Sequence, residues 1–170
     1  MQRGIDVRAY ASQATLAPGL AAAVGDDLRL AINARGRARL AVSGGTTPVP
    51  FFTALRQADL DWSRVAVTLV DERWVDVDHA DSNAALVRRH LLVGAAAAAS
   101  FQPLKNAAAS AADGCLQANS LVSPLCPLDV TVLGMGADVH SASWFPVASN
   151  LAQALDADRS DCCVALLPPG

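Results

Sequence analysis

The sequence lacks the features that mark secreted, membrane-spanning and nucleic-acid-binding proteins. Charged residues already stand at positions 3, 6 and 8, so the amino terminus has no apolar signal-peptide core. No apolar run approaches the ~20 residues that span a bilayer. The 13 basic and 16 acidic residues give a net charge of -3, which leaves no broad basic surface for a polyphosphate backbone. We therefore expect a cytoplasmic protein that binds neither membranes nor nucleic acid.

Common catalytic and metal-binding signatures are absent as well. The four cysteines include no CxxC pair, so we expect free thiols in a reducing compartment, with a metal or disulfide role as the alternative. No Gly-Lys-Ser/Thr follows the two glycines at 44–45, and no G-x-S-x-G elbow of a serine hydrolase occurs. Val139 stands where a dinucleotide-binding G-x-G-x-x-G would have its third glycine. These absences exclude the Walker, serine-hydrolase and dinucleotide loops.

Predicted strands and helices alternate along the sequence. A chain of 170 residues fits a single domain, 1–170, that buries roughly two-thirds of its unfolded surface. Alternation predicts parallel pairing, and hence an α/β fold with a doubly wound, mostly parallel, Rossmann-like sheet and helices on both faces. The predicted strands are Asp6–Tyr10, Arg39–Ser43, Val65–Val70, 129–133 and Cys163–Leu167, and the predicted helices are 17–34, Pro48–Ala58, Ser82–Leu92, 107–121 and 148–156. Because the last strand has no helix after it, we expect a sheet that is incomplete at its carboxyl end.

The first loop with chemical potential is 43–48, where an apolar strand runs into two glycines, two threonines and a proline. Glycines allow a ligand to approach the backbone closely, and a helix amino terminus presents unpaired N–H groups to an anion. The pattern is typical of a phosphate site. It is equally typical of an ordinary strand-to-helix turn in which Thr47 caps the helix.

The second loop, 71–75, follows another strand and contains Glu72, the only glutamate of the chain. The planar guanidinium of Arg73 can donate two parallel hydrogen bonds to a phosphate or carboxylate, and a neighbouring acid can orient it. A surface ion pair is the alternative. The triplet 81–83 precedes an apolar-periodic helix, so we expect it to cap that helix rather than to contact a ligand.

The third loop, 134–146, follows the strand at 129–133 and carries Asp138 and His140 beyond the strand's carboxyl end. Small ligands of open α/β sheets bind in the crevice at those ends. A histidine takes up a proton near neutral pH, and an acid two residues away can hold the imidazole. His140 is therefore the candidate general base, with Ser141 and Ser143 as candidate donors to an oxyanion.

Four blocks together resemble the glucosamine-6-phosphate isomerase/6-phosphogluconolactonase family, in particular the α/β lactonases of the cytosolic pentose phosphate route. The blocks are 43–48 (SGGTTP), 71–75 (DERWV), 81–83 (DSN) and 133–146 (LGMGADVHSASWFP). They occur in the family's order and spacing across nearly the whole chain. The resemblance implies hydrolysis of 6-phosphoglucono-1,5-lactone to 6-phosphogluconate without a metal or cofactor. The sequence leaves the oligomeric state open, and a monomer is favoured.

The resemblance also implies roles for individual residues. The general base of the family falls on His140, and the acid that accompanies it falls on Asp138. The expected substrate-binding positions are Ser43, Gly44, Gly45, Thr46, Thr47, Arg73 and Ser141.

Two departures from the family pattern keep other functions open. The family usually has glycine at position 139; if this position needs a positive φ, valine is strained there by about 1–3 kcal/mol. Family members also continue well past residue 170, so we expect the chain to lack their carboxyl-terminal portion. The alternatives are a catalytically impaired sugar-phosphate-binding remnant and an aminosugar-phosphate isomerase/deaminase of the same fold.

Overall fold

The computed structural model describes residues 4–136 and 139–167. Within these ranges five α-helices alternate with four β-strands. The helices are α1 (Gln13–Arg35), α2 (Val49–Leu55), α3 (Asn83–His90), α4 (Ala111–Val122) and α5 (Leu151–Ala154), and the strands are β1 (Ala38–Val42), β2 (Val65–Leu69), β3 (Ser100–Gln102) and β4 (Val130–Val132). Short 3-10 turns at Trp62–Arg64, Gly94–Ala98 and Ser123–Leu125 complete the regular structure there.

The four strands form one parallel sheet in the order β3-β2-β1-β4. Leu40 of β1 lies opposite Val67 of β2 on one side and Val130 of β4 on the other. The strands β2 and β3 thus lie on one side of β1, and β4, the last strand along the chain, pairs with the other side of β1. In open α/β sheets such a reversal of strand order creates a crevice at the carboxyl ends of the two diverging strands.

Different helices cover the two faces of the sheet. On one face, alternate strand residues such as Leu40 and Val67 are fully buried in a core shared with α1 and α2. The intervening residues, including Ala41 and Thr68, face a cavity whose far wall is formed by side chains of α4. Successive side chains of a strand point to opposite faces, so helices lie on both sides. The predicted α/β fold with a parallel sheet is therefore confirmed.

Helix α1 shows why the sequence forms these elements where it does. Val24, Leu28 and Ile32 recur every four residues and are all buried, as the amphipathic spacing predicts. Gly36 ends the helix with φ +75° and donates its N–H to the carbonyl of Ile32. A positive φ suits glycine at this position, because a Cβ is disfavoured in that conformation.

Two predicted strands are absent from the structure, and one strand of the structure was not predicted. Residues 6–10 form no strand, and Ile5 and Val7 are 93% and 82% exposed, since neither contributes to the core. Residues 163–167 likewise have no strand assignment. Conversely, β3 pairs with β2 through Phe101 opposite Val67, yet its three residues after an alanine run gave too short a pattern to predict.

The longest helix of the described residues, α1, is amphipathic rather than uniformly apolar. In that part of the chain no helix is both long and apolar enough to cross a membrane.

Candidate active site

Ser43 joins the carboxyl ends of β1 and β4 at the reversal of strand order. Its N–H and its hydroxyl both donate to the carbonyl of Val132, at 3.1 and 3.0 Å. Its Oγ also accepts the N–H of Gly134 at 3.3 Å. The side chain is buried, and these bonds commit it to holding the first and third loops together.

A cleft of about 360 Å³ opens beside this junction. All three loops of the sequence analysis contribute to it, together with the first turns of α1. Its polar and loop lining includes Ser43, Gly44, Gly45, Thr47, Asp71, Arg73, Asn83, Gly134, Gly136 and His140. The structure therefore brings the candidate base, the glycine loop and the candidate guanidinium to one cavity.

Two glycines of the first loop are required by different constraints. A Cβ on Gly44 would lie 1.7 Å from Oδ1 of Asn83, so close packing excludes any side chain. Gly45 has φ +83° and open space around it, so its constraint is conformational.

Thr46 and Thr47 are exposed, and Pro48 occupies the N-cap position of α2, where no side chain donates or accepts a capping hydrogen bond. The alternative role of Thr47 as a helix cap is thus not what the structure shows.

Glu72 has a role that the sequence analysis missed. One carboxylate oxygen accepts the N–H groups of Arg73 and Asn83 at 2.9 and 2.7 Å, and the other accepts the N–H of Ala84 at 2.8 Å. Ser82, as predicted for this triplet, caps the same helix by accepting the N–H of Ala85. Glu72 therefore neutralises the positive end of α3 instead of gripping the guanidinium beside it. The available signal in the sequence was that the only glutamate of the chain lies ten residues before the pair Ser82 and Asn83, at which α3 begins.

Arg73 is held at the rim of the cleft by neutral partners. Its Nη1 donates to the carbonyl of Asp81 at 2.9 Å and to Oδ1 of Asn83 at 3.4 Å. Among the described residues no carboxylate pairs with this guanidinium, so the surface ion pair considered from the sequence is not formed there. The side chain is exposed, and its Nε and Nη2 donors remain for an anion.

Asn83 connects the first loop to the second. It is only 2% exposed, packs against Gly44, and donates through Nδ2 to the backbone carbonyl of Asp71 at 2.9 Å. The carboxylate of Asp71 in turn accepts the hydroxyl of Ser143 at 2.5 Å. A continuous line of contacts thus runs from the first loop through the second to the third.

His140 follows a tight turn in the third loop. Val139 donates its N–H to the carbonyl of Gly136, and Gly136 donates to the carbonyl of His140, at 3.0 and 2.8 Å. The imidazole is half-buried and lies 4.7 Å from the ring of Phe145 between centroids. Asp138, the predicted acid of the pair, lies outside the described residues.

The two serines after His140 donate to the protein itself. Ser141 donates its hydroxyl to the carbonyl of Gly134 at 2.8 Å, and Ser143 donates to Asp71. In this arrangement their hydroxyl protons stabilise the loop. Their oxygen lone pairs remain able to accept.

Val139 has φ +69°, in the left-handed region. A β-branched residue is strained in this conformation by about 1–3 kcal/mol. The side chain is 72% exposed, so no packing compensates for the strain. The conditional expectation from the sequence is met: this position, next to the candidate base, is one that glycine suits.

The sequence of the chain is similar to those of known proteins. The profile of the family described as glucosamine-6-phosphate isomerases/6-phosphogluconolactonase matches residues 11–168. A 6-phosphogluconolactonase of Pseudomonas putida is 48% identical over 165 residues, which are 97% of this chain and 68% of the relative. Another from Pseudomonas aeruginosa is 47% identical over 98% of this chain and 70% of its own.

Among solved structures, a 6-phosphogluconolactonase from Shewanella baltica OS155 superposes with a TM-score of 0.90 at 43% identity. The match covers 94% of this chain and 68% of that one. The parallel sheet and its helices are therefore shared with this protein over almost all of the present chain.

Gly44→Ala tests the packing that assembles the cleft. We expect the free energy of unfolding to fall by roughly 1–3 kcal/mol, because the new methyl group displaces the buried Asn83 from its bonds to the second loop. Urea unfolding followed by circular dichroism measures the change. Gly134→Ala is the matched control: no atom lies within 4 Å of its Cβ position, so a change within about ±0.5 kcal/mol is expected. Equal effects of the two substitutions would contradict the packing argument.

Proposed function

The chain belongs to the glucosamine-6-phosphate isomerase/6-phosphogluconolactonase family, and we propose that it hydrolyses 6-phospho-D-glucono-1,5-lactone to 6-phospho-D-gluconate in the pentose phosphate pathway. Relatives at 47–48% identity are 6-phosphogluconolactonases, that is, carboxylic-ester hydrolases. The observation that carries the proposal is the single cleft shared by His140, the glycine loop and Arg73.

His140 is the proposed general base. Its imidazole removes a proton from water as that water attacks the lactone carbonyl, and a tetrahedral oxyanion forms. When the intermediate collapses, the bond to the ring oxygen breaks and the imidazolium returns the proton to that oxygen. The ring opens and the carboxylic acid is released. Asp138, two residues earlier, is the proposed partner that holds the imidazole and stabilises its cation.

The first loop and Arg73 are the proposed anchor of the substrate's phosphate. Arg73 supplies a permanent positive charge with free donors, and a phosphate accepts such donors in a planar, charge-assisted geometry. Gly44 and Gly45 let the backbone approach the phosphate closely, with Thr46 and Thr47 at the open side. Ser43 fixes this loop beside the third, and Ser141 contacts the sugar through its acceptor lone pairs.

The remaining parts of the proposal rest on the sequence and on its resemblance to the family. They are a cytoplasmic location, catalysis without a metal or cofactor, a monomeric state, and one sugar-phosphate hydrolase domain to which residues 1–170 belong. Membranes and nucleic acids are not among the proposed partners, because the charge balance offers them no surface.

A parallel assay of two substrates tests the proposed activity. The purified chain is offered 6-phosphogluconolactone and glucosamine 6-phosphate, and lactone hydrolysis is measured against its spontaneous background. We expect turnover of the lactone alone, since the cleft presents a base and an anion anchor. Release of ammonia from the aminosugar would instead identify an isomerase/deaminase. Binding of 6-phosphogluconate without turnover of either substrate would identify a sugar-phosphate-binding remnant.

His140→Ala separates chemistry from binding. We expect lactone turnover to fall by roughly 10²–10⁴-fold, the contribution of a general base, while calorimetry shows 6-phosphogluconate still bound through the first loop and Arg73. His79→Ala is the control, because the imidazole of His79 is exposed, accepts the N–H of Asp81 and does not line the cleft. Unchanged turnover in His140→Ala would disprove the assignment of the base.

Val139→Gly tests whether strain next to His140 limits the reaction. Glycine adopts φ +69° without a steric penalty, so we expect lactone turnover to rise about three- to tenfold if strain of order 1 kcal/mol displaces the imidazole. Val147→Gly is the matched control, an exposed valine just after this loop without a positive φ. A gain in both variants, or in neither, would argue against strain as the cause.

A further inference from the structure

The four cysteines meet along a second cavity, although the sequence separates them. This cavity, of about 870 Å³, lies between the sheet and α4 and is lined by Cys115, Cys126, Cys162 and Cys163. All four are free thiols. In the described part of the chain no three His, Cys, Asp or Glu side chains are arranged to hold a metal ion, so the cluster needs another explanation.

Asn119 on α4 fixes the position of the cysteine pair 162–163. Its Oδ1 accepts the N–H of Cys162 at 2.6 Å and that of Cys163 at 3.3 Å. Ser123, in the 3-10 turn after α4, donates its hydroxyl to Sγ of Cys162 at 3.7 Å. The sulfur of Cys162 is thus directed at the turn that leads to Cys126.

The same turn fixes Cys126. Its N–H donates to the carbonyl of Ser123 at 3.0 Å, so one serine contacts both cysteines. Burial, and next the adjacent thiol of Cys162, raise the pKa of Cys126 to about 11. Cys126 therefore stays protonated at neutral pH, whereas Cys162 is exposed and is the first sulfur that a dissolved oxidant meets.

The other two cysteines do not form an equivalent pair. Sγ of Cys115 contacts the backbone carbonyl of Cys163 at 3.6 Å rather than its sulfur. Burial raises the pKa of Cys163 to about 12, which leaves it a smaller thiolate fraction than Cys126 has. Cys126 and Cys162 are the pair in which an exposed thiol lies beside a partly buried one.

We propose that Cys126 and Cys162 are a redox modification site that closes to a reversible disulfide when the chain meets hydrogen peroxide. The peroxide transfers one oxygen to Sγ of Cys162, giving a sulfenic acid and one water. Cys126 then attacks that sulfur as its thiol proton passes to the sulfenic oxygen; the S–S bond forms, the S–O bond breaks, and that oxygen leaves as a second water. Two thiols lose two electrons and two protons, and hydrogen peroxide is reduced to two waters.

The bridge encloses the segment that carries the candidate base. Residues 127–161 include β4, His140 and α5. A cross-link across this segment lowers the entropy of the unfolded chain. Oxidation therefore stabilises the part of the fold on which His140 depends.

Peroxide treatment of the full chain, followed by non-reducing peptide mapping, tests the proposal. We expect a Cys126–Cys162 peptide pair, an intact mass lower by two hydrogens, full reversal by dithiothreitol, and a Tm roughly 5–10 °C higher in the oxidised form. We expect the bridge and the Tm shift to be lost in Cys126→Ser and also in Cys162→Ser. Cys115→Ser is the matched control and is expected to keep both.

Four results would overturn the proposal. They are a bridge between any other two cysteines, a disulfide between two chains, oxidation of Cys162 to sulfinic acid without a bridge, and an unchanged Tm shift in Cys162→Ser. None of these measurements depends on lactone turnover, so they judge the thiol site independently of the proposed function.

Discussion

The pairing of β1 with β4 through Ser43 is the constraint on which the cleft depends. Ser43 bonds to Val132 and Gly134 with both its amide and its hydroxyl, and it stands where the strand order reverses. Because parallel strands end at the same edge, the pairing of β1 with β4 and the bonds of Ser43 bring segments 89 positions apart into contact. Asn83 then adds the second loop by packing against Gly44. The geometry of the cleft is a consequence of how the sheet is wound.

Much of this architecture could be predicted from the sequence. Buried strands such as Val65–Leu69 are mostly apolar, and glycines follow β1 and β4, so the three loops and their common edge follow from local patterns. What local patterns cannot supply is pairing between distant groups. The short strand β3, the capping of α3 by Glu72 and the meeting of Cys126 with Cys162 all depend on the folded chain. Residues 6–10 alternate as a strand does, but they have no neighbouring strand to pair with.

Val139 shows a conflict between local preference and tertiary demand. The turn that presents His140 is closed by two backbone hydrogen bonds and needs φ +69° at this position, which valine adopts only at a cost. The ties from Ser141 to Gly134 and from Ser143 to Asp71 oppose relaxation of that turn. Strain of this kind persists only where its surroundings enforce it. The loop is thus held in shape by its neighbours more than by its own sequence.

The capping of α3 by Glu72 has a consequence for charge in the cleft. A helix amino terminus ordinarily offers about half a positive charge to a visiting anion, but here a resident carboxylate already occupies the N–H groups of Asn83 and Ala84. The dipole of that helix is internally compensated, and an incoming dianion gains nothing from it. Arg73 is the only lysine or arginine among the described residues that line the cleft, so long-range attraction to these residues comes chiefly from its guanidinium and recognition relies on short-range fit.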